Sequence, residues 1–344
     1  MPRAQTLLYR AGYHSNVREK LVERVRGMMA QAGFAVSEPL SHRPISFDFL
    51  ARRDENFYIL KVLTNIDSLS EEVAREMRIL ARFLNGRPLL VGMKASSAPL
   101  EAGAVYVRHG IPILSVEGLK DYLIEGAPPM AFAAPGGFCV KLDGEKLHAI
   151  RQDENLSLGQ LADVAGVSRR TISMYEDGMS ATVEAALRLE EFLERPLIRP
   201  IDPFARTEDD EEPAEPNEIE DVSDPYTRSI FDLLSEMGFG IVPTGRSPFH
   251  GIGLVDPAEY DPSDPNEALL LTAASKSRSV EDRAALLRSV STICERTALF
   301  ITGDDKEGPH GTAFVKKEKL DRFDEVEGLV ELARERGESG DEDE

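Results

Sequence analysis

Two stretches of the chain carry residues whose types and spacing could do chemistry. The first is LADVAGVSRRTISMYEDG, residues 161–178, in which Ser168 is followed by Arg169, Arg170, Ser173 and Met174. A guanidinium presents two parallel N–H donors that match guanine O6 and N7 in the major groove of double-stranded DNA. Each well-made pair is worth about 1–3 kcal/mol of discrimination. Ser157, Gln160, Ser168 and Ser173 can add hydrogen bonds to phosphate or to base edges. The second stretch is Ser46-Phe-Asp48-Phe, then, after nine residues, Ile59-Leu-Lys61. A carboxylate and an ammonium on successive strands are the beginnings of a site for a divalent cation and a phosphate. The remaining scans are empty. The six His (14, 42, 109, 148, 250 and 310) show no paired metal spacing, and Cys139 and Cys294 stand near no other Cys. GxxxxGK[ST], a GxGxxG after a strand and GxSxG are all absent. Gly308-Pro-His-Gly311 reads as a turn.

The arginine pair needs a rigid mount, and the flanking residues supply one. Ser157-Leu-Gly-Gln160 is a capping box that starts a helix with Leu161, Ala162 and Ala165 on one side. Gly166 ends it, because the turn calls for a left-handed conformation. Ser168 caps the next helix, in which Ile172 and Tyr175 share a face and bury with Val167. Arg169, Arg170 and Ser173 fall on the opposite side, with Met174 at its edge. A small residue at the crossing (Ala162), a glycine in the turn (Gly166) and apolar residues at Val167, Ile172 and Tyr175 are the requirements of a helix-turn-helix.

The segment resembles the Cro/cI-repressor-type (Xre) helix-turn-helix family, over about 55 of the 344 residues. Leu147–Arg151 is similar to that family's first helix and Val183–Leu193 to a later one. One departure matters: Leu158 stands where the family often has a Gln that braces the recognition helix on phosphate and base. The resemblance implies double-stranded DNA as partner, with the helix at 168–176 in the major groove. A homodimer is expected, because one short helix reads too few bases for genomic specificity.

The second stretch is similar to the magnesium site of restriction-endonuclease-like folds, and the layout resembles Holliday-junction-resolvase members of that fold. Glu19 and Glu23 lie on the preceding helix. The second carboxylate position, however, is Ile59, which supplies no oxygen ligand. The expectation is therefore a degenerate domain with no catalytic residue, no metal and no cofactor. The rival reading is a magnesium-dependent, structure-selective endonuclease targeted by the helix-turn-helix. A third is an adaptor that binds protein through its middle module.

The outer segments read as relatives. In each, a helix ending at Gly-Phe (Gly33-Phe34, Gly238-Phe239) precedes a strand, a helix, a second strand and a closing helix. Counting back from Gly303 as Lys61 stands from Gly92 lands on Thr272, so the second copy lacks the Lys. The expected fold class is α/β plus all-α: a central helix-turn-helix domain of four to five helices between two related α/β domains. The expected divisions are 1–125 (α/β), 126–138 (linker), 139–200 (helix-turn-helix), 201–224 (acidic disordered linker), 225–337 (second α/β) and 338–344 (acidic tail). The linker reading rests on Glu208–Asp224, which holds ten carboxylates, two prolines and no basic residue. The whole architecture resembles an archaeal family of helix-turn-helix regulators.

Composition sets the outer bounds. There are 61 Asp+Glu against 40 Lys+Arg, for a formal charge of −21, and only 11 of the basic residues are Lys. An acid excess spread over the whole chain fits a salt-loving cytoplasm, where carboxylates keep a protein soluble while salt screens their repulsion. From Val140 to Pro200 there are eight Lys/Arg and eleven Asp/Glu, so the middle module is itself net −3. A DNA binder is usually basic. In molar salt, though, counterion release adds little, so a basic footprint brings little benefit. Two isolated cysteines exclude a disulfide scaffold, and the longest apolar stretch, Ala131–Val140, is too short and broken for a membrane span. No signal peptide is visible, and a cytoplasmic location is expected. Any effector ligand is unspecified.

Overall fold

A computed structural model describes residues 2–40, 45–205, 215–274, 280–303, 313–320, 323 and 326–338. Along the chain come α1 (Pro2–Gln31), β1 (Ala35–Val36), β2 (Phe49–Arg53), β3 (Asn56–Asn65), α2 (Glu71–Phe83), β4 (Arg87–Ala95), β5 (Ala98–Pro99), β6 (Ala104–Arg108), β7 (Ile111–Ser115) and α3 (Val116–Leu123). Next are β8 (Ala131–Ala134), β9 (Gly137–Leu142), α4 (Gly144–Asp153), α5 (Leu158–Ala165), α6 (Arg169–Glu176), β10 (Ala181–Thr182), α7 (Val183–Leu193) and β11 (Ile198–Arg199). The last part holds α8 (Pro225–Glu236), β12 (Gly240–Pro243), β13 (Gly251–Leu254), β14 (Ala268–Ala274), α9 (Val280–Cys294), β15 (Thr297–Thr302), β16 (Ala313–Lys316), α10 (Lys317–Leu320) and α11 (Val326–Glu338). Among the described residues, no helix is long and apolar enough to cross a membrane. The chain divides into two compact units. One is drawn from Met1–Val62, Leu69–Leu89 and Glu208–Glu344, the other from Leu63–Ser68 and Leu90–Thr207.

In the first unit β1, β2 and β3 pair antiparallel, with Phe49 opposite Leu60 and Arg53 opposite Asn56. Ser70 caps α2, its Oγ accepting from Val73 N at 3.3 Å. The last segment repeats this order: β12, β13 and β14 are antiparallel, and β14, β15 and β16 run parallel around α9. Its core gathers Ile230, Phe231, Leu271, Leu299 and Leu329, all buried. These two α/β portions are clasped by buried polar contacts. Glu76 on α2 is 6% exposed, and its carboxylate accepts from Arg246 N (2.9 Å), Ser247 Oγ (2.9 Å) and Gly245 N (3.3 Å). Ser46 N donates to Arg246 O at 2.8 Å, and Arg246 Nη2 pairs with Glu72 at 2.5 Å. On β2, Arg52 Nε donates to Ile293 O at 2.6 Å at the end of α9.

In the second unit β4 and β7 run parallel, β7 and β6 antiparallel, and β6 and β8 parallel. Residues 126–138, expected to be a linker, thus contain a sheet strand. β8 also pairs with β9, Phe132 opposite Cys139 and Ala134 opposite Gly137. The Pro135-Gly136-Gly137 that suggested a break is the turn between these strands, with Gly136 at φ 98°. The run Ala-Phe-Ala-Ala lacks the polar alternation that marks a strand from sequence. β9 pairs in turn with β10 and β11, so the helical module closes on its own strands.

The expectation of disorder is corrected as well at the two described ends of 201–224, residues 201–205 and 215–224. Ile201 N bonds Pro129 O at 2.8 Å, and Phe204 is buried with its ring 5.2 Å from that of Tyr122. Arg75 binds Glu215 O (3.1 Å) and Asn217 Oδ1 (2.8 Å). Ile219–Asp221 form a single helical turn, with Ile219 and Val222 packed on the core of the last domain. Charge counting missed these anchors because two apolar residues and one Arg suffice to hold a stretch whose carboxylates remain in water. Residues 206–214 and 339–344, the rest of the acidic linker and most of the acidic tail, lie outside the described residues, as does His310.

Replacing Glu76 by Ala removes the acceptor of two backbone N–H groups. Unfolding in urea should show a loss of about 1.5–3 kcal/mol, the worth of hydrogen bonds to a charged group.

Candidate nucleic-acid interface

Sequence and structure agree on how α5 begins. Ser157 Oγ accepts from Gln160 N at 3.2 Å, and Gln160 Oε1 accepts from Ser157 N at 2.8 Å and from Ser157 Oγ at 3.0 Å. The helix stops at Gly166, with φ 71° and ψ 35°, and Val167 N closes on Ala162 O at 3.0 Å. Any side chain at Gly166 would be strained by its backbone angle. α6 then starts from Ser168, whose Oγ accepts from Thr171 N at 3.1 Å and lies 2.9 Å from Thr171 Oγ1.

Packing sorts the predicted residues as their spacing requires. Leu161, Ala162, Ile172 and Tyr175 are buried together with Leu147 of α4 and Leu189 of α7, and Val167 is half-buried against them. Arg169, Arg170 and Met174 are exposed, and Ser173 is half-buried. Ser157, Gln160 and Ser168 are exposed but engaged in caps. The structure thus brings Arg169, Arg170, Ser173 and Met174 onto one short helix, and ties Ser157 to Gln160 on the helix before it. Leu158, the departure from the family pattern, is half-buried and packs on the core.

Two features were not read from the sequence. Glu176 at the end of α6 is an ion-pair hub that accepts from Arg151 Nε at 2.5 Å and Nη2 at 3.0 Å, with His148 Nδ1 at 2.9 Å. Burial works to raise the Glu176 carboxyl, but the hydrogen bonds from Arg151 and His148 outweigh it and hold it below its ordinary value. The other is Gly144 at the start of α4, where a β-carbon would lie 2.6 Å from Tyr175 O and 2.4 Å from Glu176 O. Only hydrogen fits between the start of α4 and the end of α6. The His148–Arg151 spacing puts both on one helix face, but nothing local announces a partner 25 residues away.

The second candidate stretch is built differently from a cation site. Asp48 is 1% exposed; its Oδ1 is paired with the Arg18 guanidinium of α1 and its Oδ2 accepts from Val62 N at 2.7 Å. Lys61 Nζ donates to Ile45 O at 2.7 Å, and Ile59 is fully buried. Glu23 is exposed and bonds Arg26 at 3.1 Å, and Glu19 is also exposed. In the last domain His250 N bonds Leu271 O as Asp48 N bonds Leu60 O, at 2.8 and 2.7 Å. His250 and Thr272 therefore occupy the places of Asp48 and Lys61. A divalent cation needs several hard oxygen ligands. One carboxylate already matched by a guanidinium, beside an apolar neighbour, does not fit it. Among the described residues no group of three His, Cys, Asp or Glu could hold a metal ion.

Comparison with known proteins finds two family models on the chain. A family model described as a PD-(D/E)XK superfamily domain matches residues 18–129, and one described as a helix-turn-helix matches 147–198. The chain is thus a helix-turn-helix protein that also carries an endonuclease-like domain. It is 40% identical over 326 residues to a "Putative HTH-type transcriptional regulatory protein" of Methanocella arvoryzae, covering 92% of this chain and 95% of the relative. HTH-type transcriptional regulatory proteins of Natronomonas pharaonis (38% identity, 93% and 99% coverage) and Methanosarcina barkeri (37%, 94% and 99%) match similarly. The chain belongs to this archaeal family of HTH-type transcriptional regulatory proteins. No solved structure matches it.

Because the folded-state pKa of Glu176 is depressed, its stabilising contribution is full above the ordinary Glu value of 4.5 and is lost as pH falls through the folded value. Glu176→Gln should cost about 1–3 kcal/mol at neutral pH. The same variant should flatten the acid limb of a stability–pH profile followed by thermal unfolding.

Proposed function

We propose that the chain is a sequence-specific DNA-binding transcriptional regulator that inserts α6 into the major groove of double-stranded DNA and acts as a homodimer. The observation that carries this reading is the exposed Arg169–Arg170 pair at the first turn of α6, backed by the buried Ile172 and Tyr175. In helix-turn-helix proteins the residues near the start of the second helix meet base edges. Met174, exposed one turn further on, offers an apolar contact to a thymine methyl. Ser157, Gln160, Ser168 and Ser173 frame the contact and supply bonds to phosphate or base edges. The relatives' description as transcriptional regulatory proteins supports the same reading.

The flanking α/β domains serve packing in this reading, and the protein is not an enzyme. Arg18 neutralises Asp48 where a nuclease would use that charge on a cation, and Ile59 stands where a second carboxylate would be needed. The endonuclease-like family match supports the rival reading. Incubation with Mg²⁺ and branched or linear duplexes separates the two: no cleavage is expected, and cleavage abolished by Asp48→Ala or Lys61→Ala would overturn the regulator reading.

The decisive experiment is genome-wide occupancy of the wild type against Arg169→Ala/Arg170→Ala. The double variant should lose its specific sites. In solution, its affinity for a duplex selected from a random pool by the wild type should fall by about 2–6 kcal/mol, some 30-fold or more. Unchanged occupancy would favour the adaptor reading.

A further inference from the structure

The two arginines of α6 are not equivalent. A β-carbon built on Gly159, in the first turn of α5, would lie 3.1 Å from Arg169 Nε, 3.3 Å from Nη2 and 3.4 Å from Cζ. The Arg169 guanidinium therefore lies beside the first turn of the neighbouring helix, where a side chain at residue 159 would press it aside by a few tenths of an ångström. Among the described residues, Arg170, one position further round α6, lies against no glycine in this way. A glycine inside a helix is unfavourable by about 1 kcal/mol relative to Ala. Its presence here, between a capping residue and the Gln that completes the box, asks for a reason, and the close approach of Arg169 supplies one.

We propose that Gly159 is a positioning residue for Arg169, so that Arg169 reads DNA from a pose set before binding while Arg170 is ordered by the DNA itself. The inference rests on the reading of α6 as the DNA-reading helix. Fixing a long side chain in its bound pose in advance cuts the ordering cost of the contact and sharpens the geometry of its donor fork. A group that rests against a neighbouring helix on one side tolerates fewer base arrangements opposite it than a freely rotating one. Gly159 thus acts through Arg169 on specificity.

The test uses the full-length protein, a duplex selected by the wild type from a random pool, and a scrambled duplex of the same length. Gly159→Ala displaces the guanidinium, which yields easily because it is the far end of a flexible chain. Ala also favours α5, so thermal stability should hold or rise. Affinity for the selected duplex should fall about three- to tenfold with the scrambled duplex unaffected, and the same substitution in an Arg169→Ala background should have no effect. Unchanged discrimination between the duplexes, or a loss that persists in the Arg169→Ala background, would overturn the proposal. If neither Arg169→Ala nor Arg170→Ala changes binding, it is the DNA-reading role of α6 that fails. If Arg170→Ala alone weakens binding, the role stands and the positioning of Arg169 falls.

Discussion

The position of α6 is set by contacts that leave no room for adjustment. At its end, Tyr175 O and Glu176 O approach the backbone of Gly144 so closely that a methyl group cannot enter. At its start, the left-handed Gly166 turns the chain from α5 in a single residue. Between them Ile172 and Tyr175 fill the core, and the Glu176 carboxylate fastens the same end to Arg151 and His148 of α4. A helix of eight residues has little stability of its own, since nucleation costs more than so few hydrogen bonds return. Its shape and direction are therefore borrowed from α4, α5 and α7. That is what lets two flexible arginines be presented at a defined place.

Buried carboxylates elsewhere in the chain are used in a comparable way, as acceptors rather than as reactive groups. Glu76 takes the backbone of Gly245 and Arg246 and the hydroxyl of Ser247, and Asp48 takes Arg18 and the Val62 N–H. Each satisfies its charge within the fold, as a buried charge must. In an endonuclease-like framework Asp48 would instead be left underpaired, waiting for a cation. Pairing it with an internal guanidinium leaves its charge matched within the fold. In the last domain His250 and Thr272 stand at the strand positions that Asp48 and Lys61 hold in the first.

Much of this was legible in the sequence because it is local. Caps, the left-handed glycine and the Ile172/Tyr175 face declare themselves within a few residues, so α5 and α6 were placed with the right buried and exposed sides. The correspondence of Thr272 with Lys61, found by counting from two glycines, agrees with the strand register. What escaped depends on partners far away in the chain. β8 has no alternating pattern and is a strand only because β6 and β9 flank it. Residues 215–224 look like a solvated run until Arg75 and the apolar core of the last domain are put beside them. Gly144, Gly159 and Glu176 matter through what crosses them, and nothing in their immediate neighbours says what that is. The long first helix is a milder case: Gly33-Phe34 marked where it ends, but not that it begins at Pro2.

The acidity of the middle module fits this picture of DNA recognition better than it first seems to oppose it. Of its eight basic residues, Arg151 is bound to Glu176, Lys146 reaches Pro196 O and Arg199 pairs with Asp143. Basic side chains spent on internal bonds contribute little to a positive field. Lys141, Arg169, Arg170, Arg188 and Arg195 remain exposed, and on the proposed reading the pair on α6 supplies directional contacts without a broad electrostatic footprint. Non-specific affinity comes almost wholly from phosphate neutralisation, whereas discrimination comes from base contacts and shape. On the proposed reading, a net-negative reader gives up the first while keeping the second, so fewer of its molecules are held on irrelevant sequence. That trade is weakest in dilute buffer, where repulsion from phosphate is long-ranged, and most favourable at high ionic strength, where the repulsion is screened within a few ångströms and the bidentate contacts persist.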